Sequence, residues 1–175
     1  MKPMGIYILI FFIVAPNCAQ GEKHTISHEQ TEFSAEDEGV KHPIAIPPDV
    51  MKILNQDEVV KSELENDKRN KISDSWFSAS AVHLAGPHEQ DMVVMAVAEL
   101  RGANVTTFWV FRRTIKGHQL VMTAPAHTMK IQKTSRNGLR DIELVSATAR
   151  EVSTSLCSFD GGRYTQCKST SEKIQ

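Results

Sequence analysis

Four histidines in the part of the chain with a folding pattern are the residues most able to do chemistry: His83, His88, His118 and His127. A catalytic or metal-binding histidine needs a partner at a suitable spacing, such as a second histidine with an acidic ligand for zinc. The sequence holds no such pair, and it has no Gly-x-Ser-x-Gly nucleophile elbow. We therefore expect that the protein is not an enzyme and that it binds no metal and no cofactor. One alternative stays open, a small exported hydrolase that uses His127 or His118 with Asp141.

The three cysteines divide into one near the start of the chain, Cys18, and two near its end, Cys157 and Cys167. A close pair in an exported chain is more often a disulfide than a redox site, because a redox pair usually has the Cys-x-x-Cys spacing. If a three-residue loop follows Asp160, that residue faces Tyr164 and the two cysteines lie opposite each other. The sequence therefore predicts a Cys157–Cys167 disulfide in a terminal hairpin.

Residues 1–21 have the pattern of a secretory signal peptide: a basic residue, an apolar run from Gly5 to Ala15, and a small-x-small site at Ala19 and Gly21. The apolar run of about ten residues is too short for a membrane-spanning helix, which takes about twenty. We expect cleavage after Gly21, a periplasmic or extracellular location, and no membrane span afterwards. A lipid anchor on Cys18 is the less favoured alternative.

The remaining chain divides by composition. Residues 22–47 have few large apolar side chains and no usable periodicity, which predicts a disordered tether. Residues 48–168 predict a single α+β domain, and residues 169–175 a loose polar tail. With 41% hydrophobic residues, the chain can bury one core.

Helical periodicity is confined to the start of this domain, where it predicts one kinked helix or two short ones between Pro48 and Asn66. Asn55 followed by Glu58 could form a capping box that restarts the helix. The apolar residues at helical spacing form a stripe along one face, and this stripe is no wider than a contact with a sheet requires. Its apolar members are Val50, Ile53, Leu54, Val60 and Leu64.

Extended patterns follow from Trp76 onward. The run from Met92 to Ala98 is apolar on both faces, which predicts either a central strand covered on both sides or a strand covered by the helical segment. Pro125 predicts a strand end or an edge strand, and Asn137-Gly138 predicts a type I′ hairpin turn. We expect a mostly antiparallel meander sheet of about six to eight strands, with the N-terminal helical segment packed on it.

The formal net charge of −1 argues against a nucleic-acid binder, which needs a concentrated basic face. Polar and basic residues gather instead on two connections between predicted strands, and a calcium loop is disfavoured in the second because arginines stand where acids are needed. We expect any recognition surface on these connections. Its candidate residues are Arg112, Arg113 and Lys116 on the first, and Arg136, Asn137, Arg140 and Asp141 on the second.

Six short motifs occur in order along the domain: Pro48 to Val50, Ser75 to Phe77, Gly102 to Asn104, Phe108 to Arg112, Asn137 to Ile142, and Phe159 to Tyr164. In this order they resemble a group of small exported bacterial proteins that carries no established activity. The resemblance implies export from a Gram-negative cell and a single domain, and it implies no chemistry.

Size, export, a disulfide and the lack of catalytic spacing together predict a small binding module, such as an inhibitor or immunity-like protein that acts on a cell-envelope enzyme. The hydrolase described above and a structural envelope component are the alternatives. The sequence leaves the oligomeric state open.

Overall fold

The computed structural model describes residues 29–66 and 71–174. The predicted signal peptide, with Cys18, and the first residues of the predicted tether lie outside the described residues.

The described chain forms two antiparallel sheets, one of five strands in the order β1-β6-β7-β8-β9 and one of four in the order β2-β3-β4-β5. Neighbours in each sheet are mostly neighbours in the chain, as the predicted meander requires. The prediction of one sheet of about six to eight strands is wrong, because the described residues form nine strands in two sheets. The strands are β1 (Glu32–Ser34), β2 (Phe77–Val82), β3 (Asp91–Ala96), β4 (Thr106–Thr114), β5 (Gly117–Ala126), β6 (Thr128–Arg136), β7 (Leu139–Ala147), β8 (Glu151–Phe159) and β9 (Tyr164–Lys173).

The sheets separate at His127, the single residue between β5 and β6. Its backbone N–H donates to Val145 O of β7 at 2.8 Å, and its carbonyl accepts at 2.7 Å from the N–H of Ala35, the residue that follows β1. The chain therefore passes from one sheet to the other without an intervening turn. No local sequence pattern at His127 predicts this change of sheet.

An interior core joins side chains of the two sheets. Phe33 of β1 lies edge-on to Phe108 of β4, with ring centroids 6.5 Å apart. Burying each large apolar side chain contributes roughly 1.5–3 kcal/mol, so this core supplies much of the stability. Its larger members are Phe33, Val93, Met95, Phe108, Val110, Met129, Ile131, Ile142, Phe159 and Tyr164.

A second apolar cluster takes the alternate residues of β2, β3 and β4, because successive side chains of a strand point to opposite faces. Every residue of β3 is buried, which confirms the prediction for the run from Met92. Trp109 of β4 lies edge-on to Phe77 of β2 at 5.7 Å between ring centroids. Buried residues of the helical segment belong to the same cluster: Val50, Leu54 and Val60.

The helical segment forms two short helices, α1 (Pro48–Leu54) and α2 (Glu58–Asn66), one of the two predicted outcomes. The proposed capping box is wrong in detail, because Asp57 Oδ1 accepts from Val59 N at 3.0 Å and supplies the cap of α2. Asn55 instead closes the end of α1, where its backbone N–H bonds to Met51 O. In the part of the chain that the structure describes, no helix is long and apolar enough to cross a membrane.

Residues 29–47, predicted to be disordered, have defined partners, so this prediction is wrong for them. β1 pairs with β6, placing Phe33 opposite Met129. Further along, Ile44 N donates to Ala79 O at 2.9 Å, so the segment also bonds to the edge strand β2. Phe33, Ala35 and Val40 are buried. The mostly polar composition of this segment did not reveal these three buried residues, because the residues they contact are distant in the sequence.

The terminal hairpin contains the predicted Cys157–Cys167 disulfide, with the two residues directly opposite each other. The predicted pairing of Asp160 with Tyr164 is wrong, since Tyr164 pairs with Phe159 and a bulge follows Ser158. Asp160 is used by the turn: its Oδ1 accepts from Gly162 N and Arg163 N, both at 2.7 Å. The bulge restores the register that brings the cysteines together.

The predicted loose tail is also wrong for residues 169–173, which continue β9 and pair with β8 as far as Glu151 opposite Lys173. Serines and threonines fill the outer part of this hairpin, and the threonines favour a strand because they are β-branched.

The hairpin turn at Asn137-Gly138 is confirmed, with φ of 52° and 86° at its central residues, the positive values that a type I′ turn requires. Pro125 lies within β5, an edge strand, as its missing N–H predicts.

Candidate binding surface at the β4–β5 hairpin

The turn between β4 and β5 presents an isoleucine entirely to solvent. Ile115 has a relative exposure of 103%, far above any other exposed large apolar residue in the described chain. Arg113 and Lys116, two of the predicted binding residues, are exposed beside it. The tip therefore combines an apolar side chain with two exposed cations.

This turn is held in one conformation by its own hydrogen bonds. Thr114 Oγ1 donates to Gly117 O at 2.8 Å and accepts from Lys116 N at 3.2 Å. Gly117 has φ of +112°, a conformation that other residues rarely adopt. A Cβ at this position would also lie 2.8 Å from Asp49 Oδ2. The glycine is thus required both by the turn and by the close approach of α1.

Asp49, in the first turn of α1, joins that helix to the base of the hairpin. Its Oδ2 accepts from His118 N at 2.9 Å and lies 2.9 Å from His118 Nδ1. The backbone N–H of His118, and then its ring, lower the pKa of Asp49 to about 2. The His118 side chain is only 5% exposed, and Arg113 Nη1 lies 3.3 Å from its Nε2.

Replacing Asp49 with asparagine tests this link through pH. The depressed folded pKa of Asp49 stabilises the fold above the unfolded value of about 4, and that stabilisation is lost as pH falls towards 2. Because the carboxylate is 45% exposed, solvent screening limits the effect to roughly 0.5–1 kcal/mol. We expect Asp49→Asn to lose this much free energy of unfolding at pH 6, and the difference from wild type to vanish near pH 2 in urea titrations. Asp74→Asn, at an exposed carboxylate elsewhere, should not reproduce this pH profile.

A buried carboxylate supports the hairpin from inside the fold. Asp91, at the start of β3, is 1% exposed. Its Oδ1 accepts from Arg113 N at 2.8 Å and its Oδ2 from Leu84 N at 2.9 Å. Burial raises the pKa of Asp91, opposed by hydrogen bonds from the backbone of Arg113, Leu84 and Ala85. The residue therefore joins the end of β4 to the connection between β2 and β3.

On the second predicted connection, two of the four residues have roles within the fold. Arg140 donates to Gln132 O at 2.6 Å and pairs with Glu29 at 3.1 Å. Asn137 Nδ2 donates to Phe159 O at 2.8 Å, so it ties the β6–β7 turn to the end of β8. Arg136 remains exposed, whereas Asp141 is buried.

Tyr164 connects the second connection to the terminal hairpin. Its hydroxyl donates to Arg140 O at 2.6 Å, and burial raises its pKa above the ordinary value for tyrosine.

Of the first group of predicted residues, Arg112 is half-buried, and its Nε finds no hydrogen-bond partner among the described residues. The structure therefore leaves Arg113, Lys116 and Arg136 as the exposed cations of the predicted set.

The residues of the hydrolase alternative have separate partners. His118 bonds to Asp49, as described above. His127 Nδ1 lies 2.9 Å from Asn104 O, and its Nε2 lies 3.6 Å from Glu36 Oε1. No contact joins either histidine to Asp141 within the described ranges, and no group of three potential metal ligands is found there. The structure does not assemble this proposed constellation.

Sequence reasoning missed Ile115 and the residues that hold its turn, Asp49 and Asp91. The signal for Ile115 was present, because an isoleucine between Thr114 and Lys116 breaks the polar composition of a hairpin turn. The roles of the two aspartates depend on contacts between distant parts of the chain, which no local pattern displays.

Comparison with models of known protein families, with curated proteins and with solved structures finds no match to this chain.

Proposed function

We propose that this chain is an exported protein-binding module of the inhibitor type, which inserts its β4–β5 hairpin into a cleft of a cell-envelope enzyme. The observation that carries the proposal is the complete exposure of Ile115 on a turn fixed by hydrogen bonds. An isolated exposed apolar residue is ordinary on a protein surface. Here, the fixed turn makes it suited to binding.

Preorganisation is the physical reason. Ordering a side chain and its loop on binding costs roughly 0.5–1.5 kcal/mol for each immobilised group, and this turn is already ordered by Thr114, Gly117 and the Asp49–His118 contact. An isoleucine that enters a closed pocket then contributes the free energy of removing its surface from water. Binding energy in interfaces is concentrated in a few such central residues.

The flanking cations indicate the character of the partner. Arg113 and Lys116 lie on either side of Ile115 in the chain, and both are exposed. Charges at the rim of an interface mainly accelerate association and select partners of opposite sign. We therefore infer an acidic rim around an apolar pocket on the partner. Export is compatible with the disulfide and with the absence of a membrane-spanning helix from the described residues.

A matched pair of substitutions tests the hairpin. The mature protein would be immobilised and exposed to envelope extract of its own cell, with the captured protein identified by mass spectrometry and its Kd then measured. We expect Ile115→Asp to weaken binding at least tenfold, since a hot-spot residue contributes about 2 kcal/mol. Ile174→Asp makes the same change at an isoleucine that is 52% exposed near the end of the described chain, and it should bind like wild type.

Two results would contradict the proposal: capture of no specific partner by the wild type, or equal affinity of the wild type and Ile115→Asp for the captured protein. Thermal unfolding of each variant separates a binding defect from a folding defect.

A further inference from the structure

A cavity of about 250 Å³ lies beside the disulfide, away from the β4–β5 hairpin. Leu156 and Ser158 stand on either side of Cys157 in β8, so they point away from the interior core that Cys157 joins. The cavity is lined by Arg136, Asp141, Leu156, Ser158, Cys167 and Lys168.

Asp141 is the unusual member of this lining. It is 5% exposed, and its Oδ1 is buried without a hydrogen-bond partner among the described residues. A buried carboxylate oxygen without a donor carries a desolvation cost of about 1–3 kcal/mol or more, which native proteins seldom leave uncompensated. A donor from outside the described chain would remove this cost.

The other two charged residues of the lining have the opposite sign. Arg136 and Lys168 are both exposed, and no side-chain ion pair or hydrogen bond joins either of them to another described residue. A simple anion at this site would be repelled by Asp141, and a simple cation by the two basic residues. A ligand that carries both signs satisfies all three.

We propose that this cavity binds a small zwitterion, an α-amino acid with an apolar side chain. The ammonium group donates to the Asp141 carboxylate, and the carboxylate of the ligand lies towards Arg136 and Lys168. Leu156, which lies on the same face of the sheet as Ser158, provides the apolar wall for its side chain. The cavity volume of about 250 Å³ is slightly below that of pockets for drug-sized ligands, which begin at about 300 Å³. It therefore suits a smaller molecule such as an amino acid.

A buried water is the simplest competitor, because one water could donate to Asp141 Oδ1. It would leave Arg136 and Lys168 without a function in the cavity, and it predicts no dependence on added ligand. The two explanations therefore differ in a measurable way.

The test is thermal unfolding of the full mature chain with three related compounds: leucine, N-acetylleucine, which lacks the ammonium group, and leucinamide, which lacks the carboxylate. We expect leucine to raise the Tm saturably, by about 5–10 °C at a hundred times its Kd. The other two should bind at least tenfold more weakly. Equal shifts with all three compounds, or no shift with leucine, would overturn the proposal.

Substitution of Asp141 separates binding from a structural role. If the buried carboxylate awaits a ligand, Asp141→Asn should raise the Tm of the unliganded protein by about 2–4 °C and weaken leucine binding at least tenfold. Lys168→Gln should weaken binding, whereas Lys52→Gln, on α1 and outside the cavity, should not. Undiminished leucine binding by Asp141→Asn, whatever its Tm, contradicts the assignment. The β4–β5 hairpin plays no part in this test, so its outcome is independent of the proposed partner binding.

Discussion

Replacing Asp91 with alanine should lower the free energy of unfolding by about 2–4 kcal/mol at neutral pH. The substitution leaves the backbone N–H groups of Leu84 and Arg113 without acceptors in a site where Asp91 is 1% exposed, and each unsatisfied buried donor costs about 1–3 kcal/mol. Urea unfolding followed by circular dichroism measures the loss. Glu89→Ala, at an exposed carboxylate of the same connection, is the control and should change stability by less than about 0.5 kcal/mol.

The pH dependence of Asp91 has the opposite sign to that of Asp49. Because burial raises the folded pKa of Asp91, its contribution is complete below the unfolded value of about 4 and declines as pH rises through the folded value. Asp91→Asn keeps an acceptor but cannot ionise, so the wild type should lose stability relative to this variant as pH rises above 4. A constant difference from pH 3 to pH 8 would contradict this assignment.

Removal of the disulfide should cost about 2–3 kcal/mol. Cys157 and Cys167 are separated by 10 positions, and closing a loop of this size in the unfolded chain accounts for a stabilisation of this order. Cys157→Ala with Cys167→Ser is the suitable variant, because Cys157 is fully buried and a hydroxyl there would need a partner. Equilibrium unfolding with and without reductant measures the effect. Reduction should destabilise the wild type by a similar amount and leave the double variant unchanged.

The disulfide has a second effect, on the register of β8 and β9. Serines and threonines face each other along this hairpin: Ser153 with Ser171, Thr154 with Thr170, and Ser155 with Ser169. A shift by two residues would keep every side chain on its own face and would still pair two serines, Ser155 with Ser171 or Ser153 with Ser169, so these rows specify the register less firmly than the disulfide does. We expect amide hydrogen exchange in the outer part of β8 to accelerate when the disulfide is removed. Unchanged exchange there would show that the hairpin holds its register without it.

The features that sequence reasoning predicted correctly depend on neighbouring residues. Asn137-Gly138 carries its own turn preference, the apolar run from Met92 shows a strand covered on both faces, and Cys157 with Cys167 limit each other's choice of partner. Each signal is contained within about ten residues. Such signals predict elements, turns and one covalent link.

The features that it missed depend on contacts between distant residues. Phe33 pairs with Met129 across the chain, and Asp49 bonds to His118 over a separation of 69 positions. Neither contact leaves a trace in composition or period. The candidate site is similarly divided: Arg113 and Lys116 were predicted from their clustering, whereas Asp49 and Asp91, which hold the turn, required the fold.

The passage of the chain through His127 has a consequence for how the protein unfolds. β5 and β6 form one path from Gly117 to Arg136 that contributes a strand to each sheet. Separation of β5 or of β6 from its sheet would displace the other strand, because a single residue connects them. The interior core also contains side chains of both sheets. Sub-global opening of one sheet alone is therefore costly. The two sheets should melt together as a single cooperative unit.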